Sequence, residues 1–251
     1  MTALLRSELR RLRSRRMLKA LVLLGLVAIA LTDVIVAVNS GSHPFPSRDV
    51  PRILEGTSFL LVIGGWVVGA SYVGADWQAG TVTTLLTWEP RRARVLVAKT
   101  LACAIGVFVV AAAIEAILAT TLTFVAAARG TTAGTDAGFV RSVVALGLRV
   151  SAVSAFGGVL GLALAMIARN TGAAIGIGFA YLAVVESLVR ALRPGWQPWL
   201  IGDNANVLVL GRDDGFPPIG RSVWGAAFVL GGYAAAFLIS AGATFRARDV
   251  G

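Results

Sequence analysis

Residues 95–125 read VLVAKTLACAIGVFVVAAAIEAILATTLTFV, a run in which Lys99 and Glu115 are the only charged side chains. An α-helix rises 1.5 Å per residue, so about 20 mostly apolar residues cross the roughly 30 Å of hydrocarbon in a lipid bilayer. The run is therefore long enough to form a membrane-spanning helix, and the rest of the chain must be compatible with a membrane environment.

Five other stretches meet the same requirement of length and hydropathy: residues 18–38, 56–74, 142–168, 171–189 and 222–245. The composition agrees, with 57% hydrophobic and 14% charged residues and a mean hydropathy of +0.79, whereas soluble domains carry about 25% charged residues. The longest connection, residues 190–221, leaves no room for a folded soluble domain. The sequence predicts an all-α integral membrane protein with six transmembrane helices, in which residues 1–251 form a single transmembrane domain.

The distribution of basic residues predicts the orientation in the membrane. If the N-terminus is cytoplasmic, the inner segments hold 14 of the arginines and lysines and the outer segments hold eight, while Arg149 lies within a span. Inner segments of membrane proteins carry such an excess. Both termini are therefore expected in the cytoplasm, and the net charge of +10 points to membrane lipids and not to nucleic acid as the partner.

Residues that carry enzyme chemistry are scarce. Neither Lys19 nor Lys99 lies in a Gly-x-x-x-x-Gly-Lys-Ser/Thr loop, the motif that cradles nucleotide phosphates. His43 is the only histidine, and Cys103 lies in an apolar run with no histidine nearby in sequence. We expect a chain that is not an enzyme and has no catalytic, metal or cofactor site, so that any ATP is hydrolysed by another polypeptide.

Residues 1–16 have the pattern of an amphipathic helix. Leucines fall on one side, and Arg6, Arg10 and Arg13 fall on the other. Such a helix is expected to lie in the inner interface, with the leucines toward acyl chains and the arginines toward anionic headgroups. The alternative is a basic flank that only enforces the topology.

The connection between the second and third spans, residues 76–94, carries a second pattern. Gly80 favours a bend, Thr81 can cap a short helix, and Pro90 ends it because proline has no amide hydrogen. Tryptophans flank the apolar pair of this predicted helix, Leu85 and Leu86. The pattern predicts a short interfacial helix that a soluble partner could displace, although an interfacial loop without a docking role is the simpler alternative.

These residues resemble the cytoplasmic loop of the permease subunits of type-2 ABC exporters. The likeness consists of an acidic and aromatic start, a Gly-Thr pair, a Leu-Leu pair and the run Pro-Arg-Arg-x-Arg-Val-Leu-x-Ala-Lys. This specific motif spans about residues 76–99. The chain departs from it at Gln78, where many members have a basic residue. The resemblance implies an interfacial elbow helix over residues 1–16, a coupling helix that docks on a separate ATPase, and short outer helices between the fifth and sixth spans. On this likeness the coupling positions are Asp76, Gly80, Thr81, Leu85, Leu86, Pro90 and Arg91.

The resemblance also implies partners and location. ATP and Mg²⁺ would be bound by partner ATPase subunits, and the chain would pair with a second copy of itself or with a related permease in the bacterial cytoplasmic membrane. The predicted cavity walls are apolar and aromatic, so the exported substrate is expected to be amphipathic or lipid-like: a drug, an antibiotic, a peptide or a glycolipid. Residues 190–221, rich in tryptophan and proline, are equally compatible with short outer helices and with a passive loop.

Four charged residues lie within the predicted spans: Asp33, Glu115, Arg149 and Glu186. Charges inside a bilayer are costly and need partners or a route to water. Counting at 1.5 Å per residue places all four in the outer half of the membrane, which predicts a polar layer in which Arg149 pairs with at least one acid. The alternative is that each charge reaches the outer interface separately.

Small residues four apart recur at Gly65/Gly69, Gly157/Gly161 and Gly172/Gly176, a spacing that lets helix backbones approach closely. We interpret them as helix packing within one subunit, with a dimer seam as the alternative. Two other functions remain open. One is a proton- or ion-coupled secondary transporter that uses Asp33, Glu115 and Glu186, and the other is a membrane scaffold or sensor without transport activity.

Overall fold

The computed structural model describes residues 1–40, 44–81, 91–132, 135–215 and 218–247. This part of the chain is almost entirely helical. Its α-helices are α1 (Thr2–Ser14), α2 (Arg16–Asn39), α3 (Val50–Gln78), α4 (Arg92–Arg129), α5 (Ala137–Ala168), α6 (Thr171–Ala180), α7 (Glu186–Leu192), α8 (Ile201–Leu210) and α9 (Val223–Ala247).

Six helical segments in the described residues are long and apolar enough to cross a membrane: Arg16–Asn39, Ser47–Gln78, Arg92–Arg129, Ala137–Ala168, Thr171–Leu192 and Val223–Ala247. They correspond one to one with the six stretches predicted from the sequence. The prediction of an all-α fold with six candidate spans is confirmed, and the architecture indicates a multi-pass membrane protein.

Helix α5 lies at the centre of the bundle and is the most buried of the six spans, whereas α2, α6 and α9 expose most of their apolar surface. Its closest partner is α3. A Cβ atom added at Gly65 would lie 2.3 Å from the Ser154 carbonyl oxygen, and one added at Gly69 would lie 1.9 Å from the Gly158 carbonyl oxygen. The two backbones therefore touch, and they can do so only because these positions lack side chains.

Glycines on α5 complete this contact, since a Cβ at Gly161 would lie 2.2 Å from the Trp66 carbonyl oxygen of α3. The interpretation of the first two glycine pairs as packing within one subunit is thus confirmed. The third pair behaves differently, because a Cβ at Gly176 would meet no atom within 4 Å.

The spans alternate in direction, so the bundle has two ends. The end that we call the α1 face carries α1, the C-terminal ends of α3 and α9, and the N-terminal end of α4. The opposite end, the α8 face, carries α8 and a two-residue parallel pairing of β1 (Phe45–Pro46) with β2 (Gly130–Thr131). Residues 190–221, for which the sequence left helix and loop open, contain a 3₁₀ helix over Pro194–Trp199 followed by α8.

The fifth span is not a uniform α-helix. Between α6 and α7 it forms a π-helical segment, Tyr181–Val185. Such wide turns are rare and often occur at functional sites, because the extra residue changes the direction of neighbouring side chains. Here the segment turns Tyr181 and Leu182 toward the cavity described below.

Stacked cations and rings tie the helix ends together at the α1 face. The Arg169 guanidinium lies 4.4 Å from the Trp77 ring centroid, and Trp77 contacts Phe245 edge to face at 6.1 Å. The Arg92 guanidinium lies 5.8 Å from the Phe245 centroid and donates to its carbonyl oxygen at 2.7 Å. These contacts join the ends of α3, α4 and α9 with the turn after α5.

Candidate functional site

A network of buried charges lies at the α1 face, beneath α1. We call it the Asp76 network; it consists of Glu8, Arg11, Arg15, Tyr72, Asp76 and Lys99. The side chains of Glu8, Asp76 and Lys99 are each 3% exposed. Charged groups are stable at such depth only when they are paired and hydrogen-bonded.

Lys99 joins the two acids of this network. Its Nζ donates to Glu8 Oε2 at 3.0 Å and to Asp76 Oδ2 at 2.7 Å. The same ammonium lies 4.8 Å from the centroid of Tyr72, whose hydroxyl donates to the Glu8 carboxylate. One lysine on α4 therefore connects α1, through Glu8, with the C-terminal end of α3, through Asp76.

The second Asp76 oxygen is occupied by arginines of the N-terminal segment. Arg11 lies 3.1 Å from Asp76 Oδ1, and Arg15 donates to the same oxygen. Arg11 also donates to the Thr81 hydroxyl at 3.2 Å, and that hydroxyl donates to the Asp76 carbonyl oxygen at 3.3 Å. Asp76 is thus paired with three cations, one on α1, one between α1 and α2, and one on α4, and Thr81 after it is bonded to α1.

This geometry corrects the predicted environment of α1. The sequence placed its leucines against acyl chains, but Leu12 is 1% exposed and packs on the protein, where a Cβ at Gly106 would lie 2.4 Å from Leu12 Cδ2. The physical reason is Glu8, which lies one turn from both Leu4 and Leu12 and thus within the leucine side of the helix. A carboxylate at that place needs the partners that Lys99 and Tyr72 provide.

The predicted coupling positions divide into two groups. Asp76 belongs to the Asp76 network, and Thr81 is hydrogen-bonded to Arg11 of that network. Gly80 has the left-handed backbone conformation, φ +63°, that favours glycine at a bend. Arg91 is the residue before α4, and its carbonyl accepts from the Arg94 and Val95 amides at 2.8 and 3.3 Å. Leu85, Leu86 and Pro90 lie outside the described residues.

The structure does not join the four intramembrane charges into one layer. Among the described residues no ion pair links Arg149 with Asp33, Glu115 or Glu186. Arg149 lies instead against Gly211, the residue that caps α8, where a Cβ would be 1.7 Å from Arg149 Nη1. The carboxyl-terminal end of a helix attracts a cation, which accounts for this placement.

Two of the acids differ sharply in their surroundings. Glu186 accepts from the Gly202 amide at 2.8 Å and from Arg190, four residues along the chain, at 2.9 Å. Glu115 is 2% exposed, and neither of its carboxyl oxygens has a hydrogen-bond partner in the described part of the chain. The predicted pairing with Arg149 is thus not formed, since Glu186 has a nearer cation and Arg149 reaches α8.

A second polar cluster surrounds Arg190 near the α8 face. The Arg190 guanidinium binds Glu186 and also donates to both oxygens of Asp203, with its closest contact at 2.8 Å. Asp203 and Gly202 lie in the first turn of α8, whose free amides favour negative charge. The cluster therefore fixes α8 against the fifth span.

This cluster forms one side of a cavity of about 510 Å³ between α3, α5, the π-helical segment and α8. The opposite walls are apolar and aromatic, and they include Phe59, Trp66, Phe156 and Tyr181. The indole N–H of Trp66 is buried without a hydrogen-bond partner among the described residues. A cavity of this size with a few polar groups at one end has the form of a small-molecule site.

The loop beside this cluster holds one more acid in its ionised form. Burial acts to raise the pKa of Asp213, but hydrogen bonds from the backbone amides of Arg221 and Ile219 outweigh it and lower the pKa below its usual value. Arg221 in turn donates to the Pro198 carbonyl oxygen at 2.8 Å and lies 5.2 Å from the Trp199 ring centroid. The loop after α8 is thus held by the Asp213 carboxylate and by Arg221.

Sequence reasoning named Asp76 and Glu186 but missed Glu8, Asp203 and the role of Lys99. A signal for Glu8 exists, because it is the one acid in the first 16 residues and falls on the leucine side of the helical wheel. The sequence carries no comparable signal for Asp203. Its partner Arg190 precedes the 3₁₀ helix Pro194–Trp199, and the direction in which that helix returns the chain could not be read from the sequence.

Comparison with protein-family models and with curated proteins finds no match for this chain. Its class is given by the fold, which is that of an all-α protein with six helices able to span a membrane.

Proposed function

We propose that this chain is the permease subunit of an ATP-driven exporter of the type-2 ABC class, and that the segment between α3 and α4 couples it to a separate ATPase. The observation that carries the proposal is the Asp76 network. Asp76 precedes this segment and Lys99 follows it, and the two side chains are 2.7 Å apart. Both are also bonded to α1.

The network gives the segment a mechanical connection to the bundle. A partner that displaces residues 82–90 pulls on Asp76 at one end and on α4 at the other, and both ends are linked to α1 by ion pairs. Ion pairs that exchange partners are a common means of switching between two packed arrangements. In this proposal ATP and Mg²⁺ are bound by the partner ATPases, and a second permease copy or a related permease completes the pathway for an amphipathic substrate.

The test is whether an ABC ATPase of the same cell co-purifies with the chain. We expect Leu85→Asp and Leu86→Asp to reduce the recovered ATPase at least tenfold, because a charge on the predicted docking surface must be desolvated on binding. Thr135→Asp, at an exposed position near the opposite face, is the matched control and should have no effect.

Wild-type recovery of the ATPase and wild-type export by both leucine variants would place the docking surface elsewhere. Hydrolysis of ATP by the purified chain without any partner would exclude the proposal altogether.

A second candidate function, a proton- or ion-coupled transporter, is favoured by Glu115. A buried carboxyl group with no partner among the described residues is a common feature of proton pathways in membranes. In that case export stops when the proton gradient is collapsed at constant ATP, and Glu115→Gln abolishes it. Under the ABC proposal, export follows ATP and tolerates Glu115→Gln.

A further inference from the structure

The cavity beside the Arg190 cluster has an excess of negative charge. Among the residues that line it, three are carboxylates, Glu55, Glu186 and Asp203, and Arg190 is the only basic residue. Arg190 forms ion pairs with both Glu186 and Asp203, so one positive charge faces two carboxylates. Glu55 is paired with Arg212 at 3.3 Å, but the Arg212 side chain is 53% exposed, so solvent screens the attraction between the two charges.

The surroundings make that excess charge costly. Aromatic and aliphatic side chains form the remaining walls, and the Glu186 side chain is 2% exposed. The amide of Gly202 and the first turn of α8 offset part of the cost. The Asp203 and Glu55 side chains are each 22% exposed and can still accept a further cationic partner.

The aromatic walls add a second preference for positive charge. Trp66, Phe156 and Tyr181 line the cavity, and the faces of aromatic rings attract cations, most strongly when water is excluded. Rings also provide the apolar area that binds a bulky organic group. The π-helical segment contributes directly, since Tyr181 and Leu182 both belong to it and line the cavity.

We propose that this cavity binds amphipathic organic cations, with the apolar body against Trp66 and Phe156 and the positive charge toward Asp203 and Glu55. The inference names a substrate class for the proposed exporter and, as a statement about transport, rests on that function. Binding itself is a property of this chain and is measured without ATP.

The test compares two ions of nearly equal size and shape but opposite charge, tetraphenylphosphonium and tetraphenylborate. Each is measured separately by equilibrium dialysis against the purified chain in neutral detergent, with protein-free detergent as the blank. We expect the phosphonium to bind at least tenfold more tightly than the borate, because the acids attract one and repel the other. Equal binding of both ions, or tighter binding of the borate, would overturn the proposal.

Two pairs of variants locate the site. Asp203→Asn and Trp66→Leu should each weaken phosphonium binding about tenfold. Their matched controls are Asp136→Asn, at the start of α5 where asparagine also caps a helix, and Trp224→Leu, which is 86% exposed; both should bind within twofold of wild type. If Asp203→Asn does not fold, Glu55→Gln replaces it, and an unfolding temperature recorded for each variant separates lost binding from lost structure.

The outcomes for site and function are distinguishable. Charge-selective binding that Asp203→Asn and Trp66→Leu weaken, without ATP-driven export, supports the site and contradicts the proposed function. ATP-driven export of the phosphonium with unchanged binding in both variants supports the function and overturns the site.

Discussion

Single residues decide how the N-terminal helix is held. Lys99 has two buried acids as partners, while the chain's other lysine, Lys19, is exposed at the start of α2. The same side chain is thus buried and paired at position 99 and exposed at position 19. Breaking a buried ion pair by removing one partner leaves the other charge desolvated and unbalanced, which is costlier than losing the pair as a whole.

We expect Lys99→Met to lower the free energy of unfolding by about 3 kcal/mol, because it leaves the buried Glu8 carboxylate without its ammonium partner and Asp76 with Arg11 and Arg15 alone. Lys19→Met is the matched control and should stay within about 0.5 kcal/mol of wild type. Unfolding is followed by circular dichroism as denaturing detergent is added. Adding Glu8→Gln to Lys99→Met should restore part of the loss, since one stranded charge is removed. Equal stability of Lys99→Met and Lys19→Met would show that the Asp76 network contributes little.

At the level of elements, the contact of α3 with α5 depends on glycine. Gly69 lies where a Cβ would be 1.9 Å from a backbone oxygen, and backbone cannot move aside as a flexible side chain can. Gly231 in α9 is the opposite case, because a Cβ there would meet nothing within 4 Å. The two positions separate the effect of helix contact from that of helix propensity.

Gly69→Ala should therefore destabilise the protein by about 2 kcal/mol, the usual cost of forcing an extra methyl group into a packed contact. Gly231→Ala should leave stability unchanged or raise it by a few tenths of a kcal/mol, since alanine is the better helix former. Thermal unfolding in one detergent measures both. A Gly69→Ala protein as stable as wild type would mean that the helices are not in backbone contact.

The elements also mark the limit of what the sequence predicts. Hydropathy located all six spans because burial in lipid requires a continuous apolar run, yet it placed the second span at residues 56–74, whereas α3 covers Val50–Gln78. Helices continue beyond the hydrocarbon wherever polar side chains find partners, as Asp76 does. The π-helical turn at Tyr181–Val185 has no hydropathy signature, because it depends on contacts with distant parts of the chain.

The candidate sites were predictable only in part for the same reason. Asp76 was named from a local motif, and Glu186 from its position inside an apolar run. The partners of Glu186 were not predicted correctly, because an ion pair between two helices depends on how each helix is rotated about its axis and how deep each residue lies in the bundle. Arg149 illustrates this, since it lies against Gly211 of the α8 segment and not beside an acid.

For the whole molecule, α1 and the C-terminal end of α9 lie at the same end of the bundle of six candidate spans. Single cysteines in a Cys103→Ala background test the predicted orientation. We expect Ser14→Cys, exposed at the end of α1, to react with a membrane-impermeant maleimide only after the cells are opened. Thr135→Cys, between the third and fourth spans, should react in intact cells. The reverse pattern would place the termini outside and contradict the coupling proposal.

The position of Lys99 also has a consequence for biosynthesis. It lies 91 residues after Glu8, so the ribosome must complete two spans and begin a third before α1 can acquire its ammonium partner. Until then Glu8 lacks that cation, and α1 can be held only by the contacts of Arg11 and Arg15 with Asp76 and of Tyr72 with Glu8. The Asp76 network is therefore completed only when the third span has been synthesised, and a chain released from the ribosome before residue 99 would hold its N-terminal helix by the α3 contacts alone.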